Sequence, residues 1–462
     1  RTSPSYTASY RLEIDESTLS IAQIVDAVSS TGAQIKGLDV AESDRGHIVI
    51  DLTCDMRDSD HRREVRQVLD GLEGVHTSSV ADQTFMAHVG GKIEVHPKVP
   101  LRNRDDLSRA YTPGVARVCT AIHDMPEKAH LLTMKANSVA VVSDGTAVLG
   151  LGDIGPEAAL PVMEGKAVLF KQFGDVDAWP VVLDTKDTEE IISIVKAIAP
   201  AYGGINLEDI SAPRCFEIEE RLRAELDIPV FHDDQHGTAI VVLAALINAL
   251  KLVNKKIEDV RIVVSGVGAA GSAIIKLLLA QGARDIVGYG RTGALAGDDI
   301  EGMHPSRAWL AQNTNPRMVH GSLKEGIADA DVFIGVSHGN ILEPSDIAKM
   351  APGAIVFALA NPTPEVDPIA ADYPNQINNV LAFPGLFRGL LDAKVKEITT
   401  EVLRVAANAI ADVISEEELS PNYIIPGVFN EAVPGAVSKA VRHAVHDLPT
   451  IDIPVQEDMD LH

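Results

Sequence analysis

An apolar strand, three spaced glycines and an apolar helix follow one another without a break in VRIVVSGVGAAGSAIIKLLLAQG, residues 260–282. Such a unit has to pack as one strand and one covering helix of a parallel sheet, because both its parts are apolar on the faces they would share. In Gly266-x-Gly268-x-x-Gly271 the glycines allow a tight turn, a close backbone approach to a ligand and close helix packing, and the helix amides face outward. A pyrophosphate fits that place, so Gly266, Gly268, Ala269, Ala270 and Gly271 are expected to bind a dinucleotide. The same string recurs at Gly150, Gly152 and Gly155, where it follows an expected hairpin and runs into Pro156, with Pro161 breaking the next turn. That copy is expected to be a substrate-side loop.

The acidic residue that would receive the ribose hydroxyls of NAD belongs about 20 positions beyond the motif. Here that stretch reads Gly288-Tyr289-Gly290-Arg291. Arg291 either meets the 2′-phosphate of NADP or is a solvated loop residue, so the choice between NAD and NADP stays open.

The rest of the chain surrounds this unit with α/β text. At 462 residues and 46% hydrophobic it exceeds one ordinary domain. Its 40 Lys and Arg against 66 Asp and Glu, a net charge of −26, disfavour nucleic acid and anionic membranes as partners. No apolar run reaches the ~18 residues of a membrane span, and Arg1 to Tyr10 lacks the core of a signal peptide. A cytoplasmic protein is expected. Cys54, Cys119 and Cys215 have neither metal-ligand nor disulfide spacing and are expected to be buried free thiols.

Residues 8–82 alternate as βαββαβ, which makes an antiparallel sheet with two helices on one face. This pattern resembles the ACT family, small modules that pair side by side and often bind amino acids. Gly32 lies where such modules place their ligand loop, although a glycine after a helix is also an ordinary C-cap. A Pro-broken connector follows. Ser138–Leu149 then reads as a hairpin around Asp144-Gly145, and strands are expected at Val181–Leu183, Ile205–Leu207 and Ile228–Phe231, with a long helix over Thr238–Val253. Further strands are expected at Val260–Val264, Asp285–Tyr289, Asp331–Val336, Ala354–Leu359 and Val380–Phe383. Helices follow over Asp392–Ser415 and Phe429–Val445, and an acidic frayed tail, QEDMDLH, ends the chain. The expected architecture is α/β: a βαββαβ (ACT-like) module over 1–84, an α/β substrate and metal domain over 85–254, and a doubly wound, Rossmann-type nucleotide domain over 255–462 that the last helices rejoin.

Two acid pairs sit at carboxyl ends of expected strands: Glu208-Asp209 after GGINL and Asp233-Asp234 after IPVF. Open α/β sheets hold their ligands at that edge. Adjacent carboxylates crowd charge unless a cation offsets it, and hard oxygen donors suit Mg²⁺ or Mn²⁺. An acid pair is also an ordinary helix N-cap. His232 and His236 could alternatively hold Zn²⁺, although Gly237 puts them at a helix start.

The segments AYTPGVARVC, SVAVVSDGTAVLGLGDIG, MEGKAVLFKQF, INLEDISAPRCFEIEERL, PVFHDDQHGTA, SGVGAAG, ALANPTPE and NNVLAFPG occur in this order over about 300 residues. Together they resemble the malic enzymes, specifically the shorter bacterial type. The resemblance implies oxidative decarboxylation of L-malate to pyruvate and CO₂ with a divalent cation and NAD or NADP. It implies Tyr111 and Lys166 as the catalytic acid and base, and adds Asp233 to the catalytic set as support behind the metal ligands. It gives Glu208, Asp209 and Asp234 as metal ligands, Asn361, Asn378 and Asn379 as holders of the substrate carboxylate, and Ser337 in the cofactor loop. A lysine acting as base needs its pKa lowered, which a nearby cation and burial would do. The pattern departs from larger members at Ala147, where they carry a substrate-binding Arg; Lys135, amides or Asn side chains would have to replace it. A homodimer or higher homo-oligomer is expected, as is a small effector at the ACT-like module. Release of lactate, or ligand sensing without turnover, are the rival functions.

Overall fold

The computed structural model describes residues 2–44, 46–361, 363–367, 375–446 and 448, so QEDMDLH lies outside the described residues. Contacts divide the chain into two compact units, Arg1–Val95 and His96–His462.

In the first unit, β1 (Ser3–Asp15), β2 (Gln34–Asp44), β3 (His47–Met56) and β4 (Val75–Asp82) form an antiparallel sheet in the order β2-β3-β1-β4. Alternation decides which face is buried: Ala8, Tyr10, Leu12 and Ile14 of β1 point inward, with Leu12 opposite Ile50 of β3. Helix α1 (Ile21–Ser30) starts at a Ser20–Gln23 capping box and buries Ile24 and Val28. Helix α2 (Ser59–Asp70), capped by Asp58, buries Val65 and Leu69 in the same core. The βαββαβ order expected from the periodicity is the order observed.

The second unit holds two sheets. Strands β5 (Ser138–Ser143), β6 (Asp177–Val182), β7 (Gly204–Leu207) and β8 (Val230–His232) are all parallel, in the order β6-β5-β7-β8. Strands β9 (Arg261–Ser265), β10 (Asp285–Gly290), β11 (Gly293–Ala294), β12 (Val332–Gly335) and β13 (Ile355–Ala358) run β11-β10-β9-β12-β13, with only β11 antiparallel. Strand order reverses between β5 and β7 and again between β9 and β12. A crevice opens at such points beyond the strand carboxyl ends. The helices that matter for the site are α3 (Arg104–Ala110), α4 (Val115–Asp124), α5 (Pro156–Gly174), α6 (Arg214–Glu225), α7 (Asp233–Leu252), α8 (Ala269–Gln281), α9 (Pro305–Asn313), α10 (Phe383–Ala393) and α11 (Thr400–Ala411). Helix α7 has the length and apolarity of a membrane span, but 72% of that window is buried in the protein, where it packs against α8 and α11. It is the core helix of this unit.

Several local expectations fail for identifiable reasons. Ser138–Leu149 is no hairpin: SVAVVS is buried along its whole length as an inner parallel strand, and residues 144–155 form a loop. Val380–Phe383 is not a strand; Asn379–Leu381 is a 3₁₀ turn leading into α10. The expected helix Asp392–Ser415 is interrupted because Lys394 turns left-handed at φ +56° and ends α10, and α11 begins anew behind its Thr399 cap. Helix α7 starts at Asp233, ahead of the expected Thr238. Cys54 and Cys215 are buried free thiols, whereas Cys119 is exposed.

Candidate active site

The loop after β7 and the first turn of α7 bring the two acid pairs together. One oxygen each from Glu208, Asp209 and Asp234 lie within 4.8 Å of one another. Asp209 reaches this place with a left-handed backbone, φ +54°, which a short polar side chain tolerates better than most. Its carbonyl accepts from the Ala147 amide at 2.9 Å and its amide donates to Asp234 Oδ2 at 2.8 Å. The crowding shows in the protonation of these groups. Burial first, then Asp234 and other acids, push Asp209 up to about 7. Burial and the neighbouring acids likewise hold Glu208 well above the usual carboxylate range, although Lys166 opposes them. Asp234 goes the other way: burial would raise it, but His232, with Nε2 3.1 Å from Oδ2, outweighs that. Asp209 Oδ2 is buried without a hydrogen-bond partner. Three carboxylates that bring one oxygen each together, one of these side chains also carrying an orphaned buried oxygen, fit an oxygen-preferring divalent cation.

Lys166 comes from the middle of α5 and is buried. Its Nζ lies 2.6 Å from Asp233 Oδ2, 3.1 Å from Glu208 and 4.0 Å from the centre of the Phe383 ring. Phe383 belongs to an aromatic cluster with Phe170 and Phe387, so the amine is held against a dry wall. Burial alone would lower its pKa, but Asp233 and Glu208 outweigh burial and hold it above the usual lysine range. The lowered value expected from the sequence is therefore not produced by the protein groups around it; positive charge among the acids is needed. Asn379 donates to the same Asp233 oxygen. Gly237 leaves room for this carboxylate, since a Cβ there would stand 1.9 Å from Asp233 Oδ1.

Two polar clusters brace the acids, and neither was apparent from the sequence. Arg214 at the start of α6 donates to Asp144, Thr146 and Ser211 at 2.8, 3.0 and 3.1 Å. Thr146 also accepts from the Ser211 amide at 3.0 Å, so this cluster ties the downstream end of the turn carrying Asp209 to the loop after β5. Asp144-Gly145 had the look of a hairpin turn, which concealed the role. Buried Glu219 accepts from the His232 amide, Gln235 and His236. The His236 ring faces Glu219 while His232 faces Asp234. The two imidazoles do not converge, which overturns the Zn²⁺ alternative.

The second glycine motif forms the expected turn between β9 and α8. A Cβ on Gly271 would lie 1.7 Å from the Gly266 carbonyl, while above Gly268 nothing approaches within 4 Å. Gly268 caps α8, and Ala269 and Ala270 open it. Ser337, in the loop after β12, places its hydroxyl 3.0 Å from that of Ser265. Glu365, fully buried and missed in the sequence, accepts from the Ser337 amide at 2.9 Å and the Ala360 amide at 3.1 Å. One carboxylate thus ties the loop after β12 to the loop that carries Asn361. The first glycine motif, with Gly150, Gly152 and Gly155 all at positive φ, is a tight loop leading into α5 and follows no strand directly.

Not every expected residue joins the cluster. Asn361 is exposed, with its amide 3.4 Å from the Leu359 carbonyl, and Asn378 caps the turn before α10 by accepting from the Val380 amide. Lys135 spends its amine on the carbonyls of Ala199, Pro200 and Tyr202, so it does not replace the arginine missing at Ala147. Tyr111 ends α3 with 69% of its surface exposed, and among the described residues no hydrogen bond links it to the lysine or the acids. Arg291 is exposed beyond β10.

Comparison with known proteins agrees with this geometry. Residues 90–223 match the malic enzyme N-terminal domain, and residues 235–373 and 337–447 match the malic enzyme NAD binding domain. The NAD-dependent malic enzyme of Geobacillus stearothermophilus is 57% identical over 94% of this chain and 94% of its own. A bifunctional malic/malolactic enzyme of Bacillus subtilis is 52% identical over 80% of this chain and 93% of its own. The crystal structure of an NAD-dependent malic enzyme from Thermotoga maritima superposes with a TM-score of 0.75 at 48% identity, covering 78% of this chain and 99% of that one. The chain belongs to the malic enzyme family, whose reaction is the oxidative decarboxylation of malate with a nicotinamide dinucleotide.

Proposed function

We propose that Lys166 is the base that takes the malate hydroxyl proton, with Asp233 orienting its amine and Asn379 steadying Asp233. The contact that carries this reading is the buried Lys166 amine 2.6 Å from Asp233 and 3.1 Å from Glu208. Glu208, Asp209 and Asp234 would hold Mg²⁺ or Mn²⁺. The cation would supply positive charge to the substrate oxygen as negative charge develops there, and the dinucleotide would accept the hydride. Neutralising the acids also weakens their hold on the Lys166 proton, which frees the amine to act as a base near neutral pH. Asn361, Asn378 and Asn379 are proposed to meet the substrate carboxylate, and Tyr111 to return a proton to C3. Steady-state turnover of L-malate with Mn²⁺, followed as pyruvate and reduced dinucleotide, tests the whole reading. Lactate without net reduction would support the second reading, a malolactic reaction, which the likeness to the bifunctional Bacillus subtilis enzyme favours.

We further infer a homodimer. Helices α3 and α4 contain no buried residue, and Leu107, Tyr111, Val118, Met125 and Leu131 present apolar surface around them. Covering by a second copy would bury the Tyr111 ring. Tyr111→Phe is expected to lower turnover ~10²-fold while Mn²⁺ affinity stays unchanged, the effect of losing a proton donor. A near-normal rate would remove Tyr111 from the chemistry.

The domain reading is carried forward as a proposal: substrate and metal groups in residues 85–254, cofactor groups in 255–462, and a regulatory ACT-like module in 1–84 acting on turnover through a coupling free energy. Deleting 1–84 is expected to abolish the response to a small effector while malate turnover persists; an undiminished response would refute regulation by this module. Free thiols at Cys54, Cys119 and Cys215 suit a reducing compartment, which supports a cytoplasmic setting.

A further inference from the structure

Arg307 is the cation that the cofactor site leaves unexplained. It rises from the first turn of α9, and its Nε is buried without a hydrogen-bond partner. Among the described residues no hydrogen bond or ion pair holds any part of its guanidinium. Its position is defined by Gly290, the last residue of β10: a Cβ on Gly290 would stand 2.5 Å from Arg307 Nη2 and 3.5 Å from Cζ. The same Cβ would be 3.5 Å from Val267, inside the glycine turn. The guanidinium therefore occupies the tip of the second strand of the nucleotide sheet, beside the pyrophosphate turn, in space that any side chain on residue 290 would claim.

In dinucleotide folds a carboxylate at this strand tip accepts from the adenosine ribose hydroxyls and repels a 2′-phosphate, whereas an arginine there attracts one. This chain has no carboxylate at the tip; it has glycine, with one unpaired guanidinium in the vacated space and a second, Arg291, exposed next along the chain. Leaving a partly buried guanidinium without a counter-ion is costly unless a ligand supplies one. We propose that Arg307, admitted by Gly290 and assisted by Arg291, recognises the 2′-phosphate of the cofactor's adenosine, so that this enzyme binds NADP more tightly than NAD.

The proposal rests on the glycine turn being the cofactor site, and titration calorimetry of the whole 462-residue chain separates the two ideas. The probes are 5′-AMP, adenosine 2′,5′-bisphosphate, NAD and NADP, with no turnover involved. The bisphosphate is expected to bind ~10-fold or more tightly than 5′-AMP, as a charge-assisted contact allows. Arg307→Met is expected to erase that advantage and leave 5′-AMP and NAD affinities within about twofold of wild type, and Arg307→Lys to restore part of it. Equal binding of 5′-AMP and the bisphosphate by the wild-type protein overturns the 2′-phosphate reading while the turn stands as the cofactor site. Parallel losses of NAD and NADP in Arg307→Lys overturn it as well, even should the methionine variant fail to fold. Failure of all four probes to bind removes the cofactor site and the proposal with it.

Discussion

Lys166→Ala is expected to lower turnover with malate ~10²-fold or more at saturating Mn²⁺, because the proposed base for the hydroxyl proton is gone. It should also reveal the electrostatic role of the amine. Lys166 stands between Asp233 and Glu208, both buried, so its removal leaves carboxylates facing one another without a counter-ion. Breaking a buried pair in this way costs ~3–5 kcal/mol, read as a lowered melting temperature in chelator. Bound Mn²⁺ should recover part of that stability but none of the rate. Small primary amines added to the variant are expected to restore some turnover, which a purely structural lysine would not show. A variant with near-normal rate would exclude Lys166 as the base.

Much of this site is legible in the amino-acid sequence itself. The acids and the glycine turn were legible because their signals are local: Glu208-Asp209 and Asp233-Asp234 each end a short apolar strand, and the glycines of 266–271 lie between a strand and a helix. The order of strands then sets the end of β7 at one switch point, with the end of β8 beside it, and the end of β9 at the other. Residues that act through partners far along the chain were invisible. Arg214 is 70 residues from Asp144, Glu365 is 28 from Ser337, and Arg307 is identified only by the empty place at Gly290. Ser138–Ser143 misled for a different reason. A strand buried on both faces has no alternation, and Asp144-Gly145 after it imitates a hairpin turn although its aspartate is held by Arg214. Lys166 could be placed in the site by its motif, but the sign of its pKa shift required seeing how many acids surround it.

Asp209→Asn should separate what the acid cluster does for the fold from what it does for catalysis. Asparagine keeps the shape and tolerates the left-handed backbone at φ +54° about as well as aspartate, so the turn after β7 is retained. In metal-free protein the substitution removes one charge from a buried set in which Asp209 is already pushed up to about 7 by burial and by Asp234. The melting temperature in chelator is therefore expected to rise by ~2 °C, a shift of the size ~1 kcal/mol of relieved repulsion produces in a large domain. With Mn²⁺ the order reverses: the wild-type protein gains stability by mass action as it binds the ion, and the variant gains far less. Turnover should fall ~10²-fold or more, since one of the three donors proposed for the cation is lost. A destabilised metal-free variant that still binds Mn²⁺ normally would mean that Asp209 serves the turn alone. The opposite pattern, a more stable and metal-deaf protein, follows only if the chain tolerates this charge repulsion for the sake of a cation.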